Sequence, residues 1–272
     1  MRRLMNVTPN RGGRWLLALL PFALIAMLYA MASAQRLAVN AEDKVLPSLS
    51  SMVQTLHRTA LEEDRRTGER IFWADTKVSL KRLGQGLAIS IAIALVLGLA
   101  IGLLPMMSAT FSPLMAVISM VPPMAILPIL FIAFGLDELS KVMLIIIGVA
   151  PCLIRDLALK VSQLPKEQLV KAQTLGASTW QVMLRVALPQ AMPRLIESTR
   201  LMLGPAFLFL ISAEAISADA GLGYRIFLVR RYLSMDLILP YVAWITLLAY
   251  VADTLLVQCS RRLFPWAHEV RA

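Results

Sequence analysis

The sequence predicts an all-α, polytopic membrane protein with about six transmembrane helices. Three observations carry this. Apolar residues make up 58% of the 272-residue chain, and the mean hydropathy is +0.70, above that of ordinary soluble domains. Several apolar runs approach or exceed the roughly 18 residues that cross a bilayer as a helix. The 27 basic and 17 acidic residues lie mainly in the segments between those runs. A net charge of +10 could suggest nucleic acid, but no basic stripe with interleaved aromatics is present. The basic residues read as loop charges flanking spans in membrane lipid.

Arg2, Arg3, Arg11 and Arg14 precede an apolar run from about Trp15 to Ala34. Ala32-Ser33-Ala34 resembles a signal-peptide cleavage site, but the run is longer than a signal core. An uncleaved first span with a cytoplasmic N-terminus is expected. Residues 35–80 are mixed and polar, with Leu46-Pro47-Ser48, the run Glu62-Glu63-Asp64-Arg65-Arg66, and Arg70-Ile71-Phe72-Trp73. They read as a solvated loop with amphipathic helix pieces, and Trp73 as an interfacial aromatic.

The second span is expected from about Leu83 to Leu104, with Gly98 and Gly102 as a close-packing GxxxG pair. The third runs from about Pro113 to Phe134. Its Pro122-Pro123 and Pro128 must break or kink the helix. Irregular backbone at membrane depth is tolerated only inside protein or beside a water-filled cavity, so Pro122, Pro123, Met124 and Pro128 are pathway candidates. The fourth span is about Val142 to Ile154 and the fifth about Leu195 to Ile216, where Glu197 and Arg200 could pair. Glu214 falls near the opposite face from Glu197, a candidate gate or interface residue. The glycine turn Gly221-Leu222-Gly223 follows, then a last span from about Leu237 to Leu256 with Asp253 near its end. Both termini are thereby placed in the cytoplasm. Basic residues divide evenly between the two sides, so this orientation leans on the N-terminal arginines. Cys152 and Cys259 have no metal spacing and read as small buried thiols.

Between the fourth and fifth spans, residues 165–189 form two short helices with a sharp corner. Pro165 suits a first helical turn. Glu167 and Lys171 have the favourable i, i+4 order. Gly176 can take the left-handed conformation that ends a helix, and Ser178 with Gln181 is a capping box. The second helix would carry Trp180, Met183, Leu184, Ala187 and Leu188 on one face, with Pro189 and Pro193 as stops. A helix–corner–helix with one apolar face is suited to docking.

No HExxH, GxSxG or phosphate-loop motif is present, and His57 and His268 are far apart. Catalysis and ATP binding by this chain are therefore not expected.

Ala172, three residues, Gly176, nine residues and Val186-Ala187-Leu188-Pro189 resemble the cytoplasmic signature of binding-protein-dependent ABC importer permeases: Glu-Ala-Ala, three residues, Gly, nine residues, Ile-x-Leu-Pro. Leu46-Pro47-Ser48, Val121 to Pro128, Phe134 to Lys141, Ala213-Glu214, Gly221 to Tyr224 and Asp253 resemble the nitrate/sulfonate/taurine branch, in collinear order over about residues 46–266. The leading Glu-Ala is Val170-Lys171 here; Glu167, one turn earlier, could stand in for the acid.

The resemblance implies a type I importer permease core at residues 80–266, with a coupling segment at 163–190, after a first span and external loop at 1–79 and before a tail at 267–272. It implies a multi-pass protein of the bacterial inner membrane and a homodimer of permeases. A separate ATPase would bind ATP and magnesium, and a periplasmic or lipid-anchored binding protein would deliver a small solute, such as nitrate, a sulfonate or taurine. Glu167, Lys171, Ala172, Gly176, Ala177, Ser178, Trp180, Met183, Leu184, Leu188 and Pro189 would dock on the ATPase. The alternative is a secondary transporter driven by an ion gradient, which needs ionisable residues near mid-membrane; Glu197, Arg200, Glu214 and Asp253 lie toward span ends.

Overall fold

The computed structural model describes residues 10–40, 43–63 and 68–267. Arg2, Arg3, the stretch Asp64-Arg65-Arg66, His268 and nearly all of the expected tail lie outside them. The described residues form helices α1 (Arg11–Val39), α2 (Leu49–Leu61), α3 (Ile71–Leu103), α4 (Pro105–Ile118), α5 (Pro123–Phe134), α6 (Glu138–Ser162), α7 (Lys166–Thr174), α8 (Thr179–Val182), α9 (Leu188–Ser217), α10 (Leu222–Arg230) and α11 (Met235–Leu263). Five helices are long and apolar enough to cross a membrane, and the broken pair α4–α5 makes a sixth crossing if counted as one. The chain divides into two compact units, residues 1–62 with 229–240, and 63–228 with 241–272.

In the first unit, α1 anchors the Leu46-Pro47-Ser48 motif. Tyr29 donates to the Pro47 carbonyl at 2.7 Å and Ser33 to the Leu46 carbonyl at 3.0 Å. Ser48 then caps α2, its hydroxyl accepting from the Ser51 N–H at 3.1 Å. Thr55 of α2 donates to Asp236 at 2.7 Å.

In the second unit α6 is central: 67% of its apolar window is buried, against 33% for α3 and 11% for α11. A stripe of small residues four apart on α3 (Gly86, Ser90, Ala94, Gly98 and Gly102) lets α6 come close. A Cβ built at Gly86 would lie 2.7 Å from Ile145, one at Gly98 2.9 Å from Leu157, and one at Gly102 2.6 Å from Val161. The residue offset is the same in all three pairs, so α3 and α6 run parallel. The chain must therefore return between them, and α4 with α5 supplies that single return crossing. Helix α9 runs antiparallel to α6, with Gly148 against Phe209. Helix α11 is again parallel to α3: Trp244 donates to Thr76 at 3.0 Å, within an aromatic cluster of Phe72, Trp73, Tyr241 and Trp244. The unit thus has a first end, at the start of α3 and α6, and a second end, where α7 and α8 lie.

Four expectations need correction. The second span's helix starts at Ile71, not Leu83, so the supposed loop at 71–82 is its first three turns. The third span starts at Pro105, not Pro113; of the expected break or kink, Pro122-Pro123 makes a break, with the two helices meeting at 96°, while Pro128 lies within α5. Two consecutive prolines remove two backbone donors, so the chain breaks before Pro123, which opens α5 at a position where its missing N–H is no loss. Glu197 pairs with Arg194 at 3.2 Å, while Arg200 pairs with Asp253 at 2.8 Å. Cys259 is exposed and Cys152 half-buried, not buried thiols.

Candidate functional site

At the second end, α7 terminates in a Schellman motif. Gly176 has φ +82°. Its N–H donates to the Gln173 carbonyl at 2.9 Å, and the Ala177 N–H to the Ala172 carbonyl at 3.0 Å. The four-residue spacing of Ala172 and Gly176 is therefore the spacing of one C-terminal cap. Ser178 opens α8 with both halves of the capping box, its hydroxyl accepting from the Gln181 N–H while the Gln181 side chain accepts from the Ser178 N–H at 2.8 Å. The corner is fixed by backbone bonds on both sides. Glu167 and Lys171 are both exposed and form no ion pair with each other. Gln190 donates to Gln168 at 3.1 Å, tying α7 to the start of α9.

Two expectations for the second helix fail. Pro189 and Pro193 do not stop it. The helix continues through a π-helical segment, Met183–Ala187, into α9, giving an unbroken run from Thr179 to Ser217. In the wide turn the Leu188 N–H bonds to the Met183 carbonyl, five residues back, so the missing Pro189 donor falls where the ladder is already shifted. The expected apolar face also splits. Met183 and Ala187 are buried in the chain's own core, and Leu188 packs against it; Met183 and Leu188 are not free docking contacts. Trp180 is 64% exposed, Leu175 79%, Val170 55% and Leu184 39%. These four form the apolar edge that the corner presents outward. Val170, standing where the signature has an acid, belongs to it.

Above this corner α6 and α9 are locked by charge. Arg194 forks onto both oxygens of Asp156 at 2.6 and 2.7 Å, and the Ser198 hydroxyl donates to the same carboxylate. Arg200 forks onto Asp253 at 2.8 and 3.0 Å, which gives Asp253 its place: it ties α11 to α9.

At the first end lies a second polar centre around Glu214, which is fully buried. Its carboxylate accepts from Arg82 at 2.7 Å, from the Ser79 hydroxyl at 2.8 Å and from the Gly223 N–H at 2.9 Å. Arg82 forks its other edge onto Glu138 at the start of α6, at 2.6 and 2.5 Å. Asp75 accepts from the Gly221 N–H at 2.9 Å and from Arg225 at 2.8 Å. The Leu222 N–H donates to Ser79 at 2.8 Å, and Arg82 donates to the Ala220 carbonyl at 2.8 Å. The 220–223 backbone is thus templated by Asp75, Ser79 and Arg82, one face of α3, together with Glu214. Burial works against the Arg225 charge, yet the adjacent Asp75 outweighs it and holds the guanidinium above its ordinary pKa. Gly221 has φ +133°, and a Cβ there would lie 2.6 Å from the Glu214 carboxylate, so no other residue fits. Asp75, Ser79 and Arg82 escape a sequence reading that takes them for loop; their i, i+4, i+7 spacing is the signal that finds them.

The break between α4 and α5 lies between the two ends, because α4 starts where α3 finishes and α5 finishes where α6 begins. Leu127 and Leu130 point into the core, while Pro122, Met124 and Pro128 are exposed and Pro123 is half-buried.

The model of the binding-protein-dependent transport system inner membrane component family matches residues 90–265. The chain belongs to that family. It is the transmembrane permease subunit of an ABC importer, a membrane component distinct from the ATPase; the family works with an ATPase and a binding protein. The permease is 34% identical over 200 residues to the taurine transport system permease protein TauC of Escherichia coli (strain K12), covering 73% of this chain and 72% of that one. It is 30% identical over 157 residues to the bicarbonate transport system permease protein CmpB of Synechococcus elongatus, covering 57% and 56%. The fold matches the MetNI methionine ABC transporter in its inward facing conformation with a TM-score of 0.56 at 18% identity, covering 71% of the permease and 94% of that chain.

Proposed function

We propose that two copies of this permease form the pathway of an ATP-driven importer for a small anion. Named relatives carry taurine and bicarbonate, and a sulfonate, taurine, nitrate or bicarbonate is the substrate class this suggests. A separate ATPase supplies the ATP and magnesium chemistry, and a soluble or lipid-anchored binding protein delivers the solute. The second end of the bundle faces the cytoplasm, as do both termini.

The observation that carries this reading is the exposed apolar edge of Val170, Leu175, Trp180 and Leu184 on a corner fixed by Gly176, Ala177 and Ser178. Large apolar side chains on a polar helix pair, outside the spans, are costly in water and suit a groove. Glu167 and Lys171 flank that edge as polar rim contacts. ATP closes the ATPase dimer, the docked edge follows, and the continuous Thr179–Ser217 helix carries the motion inward. The break at Pro122, Pro123 and Met124, with Pro128 beyond it, lines the pathway, and Glu214 holds the first-end closure.

Reconstitution in liposomes tests this. Uptake of radiolabelled taurine or bicarbonate is expected only with the ATPase, ATP and a binding protein present. Uptake by the permease alone under an ion gradient would overturn it.

A further inference from the structure

Arg155 lies on α6 just past the apolar run that ends at Ile154. It is seven residues before the helix end, about 10 Å along the axis. The side chain is exposed and donates to the Ser119 hydroxyl at 2.6 Å. Among the described residues it forms no ion pair. Its neighbour Asp156 is already held by Arg194 and Ser198. The helix thus carries a neutralised acid next to a cation that has no acid of its own among the described residues. Both border a cleft of about 560 Å³ between α4 and α6, lined also by Ser108, Ser112, Cys152 and Ser162; Arg194 neutralises the Asp156 carboxylate there. An unpaired charge at the end of a span needs water or a counter-ion. A long arginine can reach toward the interface, but here Ser119 holds it sideways, at the α4–α5 break.

We propose that Arg155 is an anion-recognition residue of the permeation pathway, taking a small oxyanion: a sulfonate, a carboxylate or hydrogencarbonate. The inference rests on the importer reading above and adds a residue and a ligand chemistry to it. A guanidinium presents parallel N–H groups that match two oxygens of such an anion. With one Nη bound to Ser119, its remaining donors are available. Ser162 donates to the Leu159 carbonyl, but the Ser108–Ser112 pair, bonded to each other at 3.3 Å, leaves one hydroxyl donor that fits any oxyanion, so the site is tolerant and selection among anions is left to the binding protein.

The test uses the full importer in proteoliposomes, with taurine as solute and both native cysteines replaced (Cys152→Ala, Cys259→Ala). Arg155→Gln is expected to lower taurine uptake about tenfold or more, the worth of a charged hydrogen bond, while ATP hydrolysis stimulated by the binding protein persists. Arg155→Lys retains most of the uptake. Arg155→Cys loses uptake and regains it on modification with an aminoethyl methanethiosulfonate, which restores a positive charge, but not with the anionic sulfonatoethyl reagent. Methanesulfonate slows that modification. Wild-type uptake by Arg155→Gln, or an Arg155→Cys thiol that neither water-borne reagent reaches, overturns the inference and leaves the importer reading standing. Failure of the unmutated importer to carry any sulfonate or hydrogencarbonate overturns the anion reading itself, and this inference with it.

Discussion

Arg82 and Glu214 meet at 2.7 Å with side-chain exposures of 4% and 0%. The pair joins the start of α3 to the end of α9, and Glu138 completes it from α6. Removing one member of a buried ion pair strands the other and costs about 3–5 kcal/mol. Arg82→Gln and Glu214→Gln are each expected to destabilise the protein by about that much. The double change Arg82→Met with Glu214→Leu should recover part of the loss. Thermal unfolding in detergent, read by tryptophan fluorescence, checks the series. Single variants as stable as wild type would remove the pair from the stabilising contacts.

The docking edge separates from the core at adjacent positions. Leu184→Asp and Trp180→Ala should leave the melting temperature within a few degrees of wild type and lower co-purification of the ATPase. Met183→Asp should instead unfold the chain, because that side chain is 9% exposed and a buried unpaired charge has no compensation there. Equal behaviour of Leu184→Asp and Met183→Asp would contradict the division.

Glycine substitutions at the two ends should differ. At Gly176 no atom lies within 4 Å of an added Cβ, and only φ +82° opposes alanine; Gly176→Ala should cost about 1–2 kcal/mol. At Gly221 the added Cβ meets the Glu214 carboxylate at 2.6 Å as well as an unfavourable φ, so Gly221→Ala should cost clearly more. Denaturation midpoints measured side by side decide the order.

A Cβ at Gly148 would overlap the Phe209 ring. Gly148→Ala is expected to destabilise by about 1–3 kcal/mol, as overpacking does. Phe209→Leu placed with it should return some of that by making room. A double-mutant cycle measures the coupling; strict additivity would show that the two sites do not touch.

Much of this was legible in the residues. The capping box at Ser178, the left-handed Gly176 and the close-packing Gly98 and Gly102 follow from local rules that tertiary context does not override. The α4–α5 break followed from Pro122 and Pro123, though not its angle. The misses share one cause. Polar residues at a span's edge look like loop until a partner elsewhere in the chain is known, so the i, i+4, i+7 spacing of Asp75, Ser79 and Arg82 puts them on one face but does not name Glu214 and the 220–223 backbone as what that face meets. The docking face misled for a related reason: its periodicity assumes a uniform 3.6-residue turn, and the π segment at Met183–Ala187 turns Met183 inward while leaving Leu184 out. Two faces of one short helix serve different masters, and periodicity alone cannot apportion them.

The unbroken helix from Thr179 to Ser217 has a mechanical meaning. Thirty-nine residues make a rod about 58 Å long. Trp180 stands at one tip and Glu214 near the other, so nothing has to be relayed between them by successive contacts. A tilt of about 10° about the midpoint would displace each tip by about 5 Å, comparable to the one-turn shifts that switch packed helices between states. The ion pairs of Arg194 and Arg200 flank the midpoint of this rod and the Glu214 cluster holds its upper tip. The force needed to swing it is set by how those three clasps let go, and the order of their release becomes the order of opening.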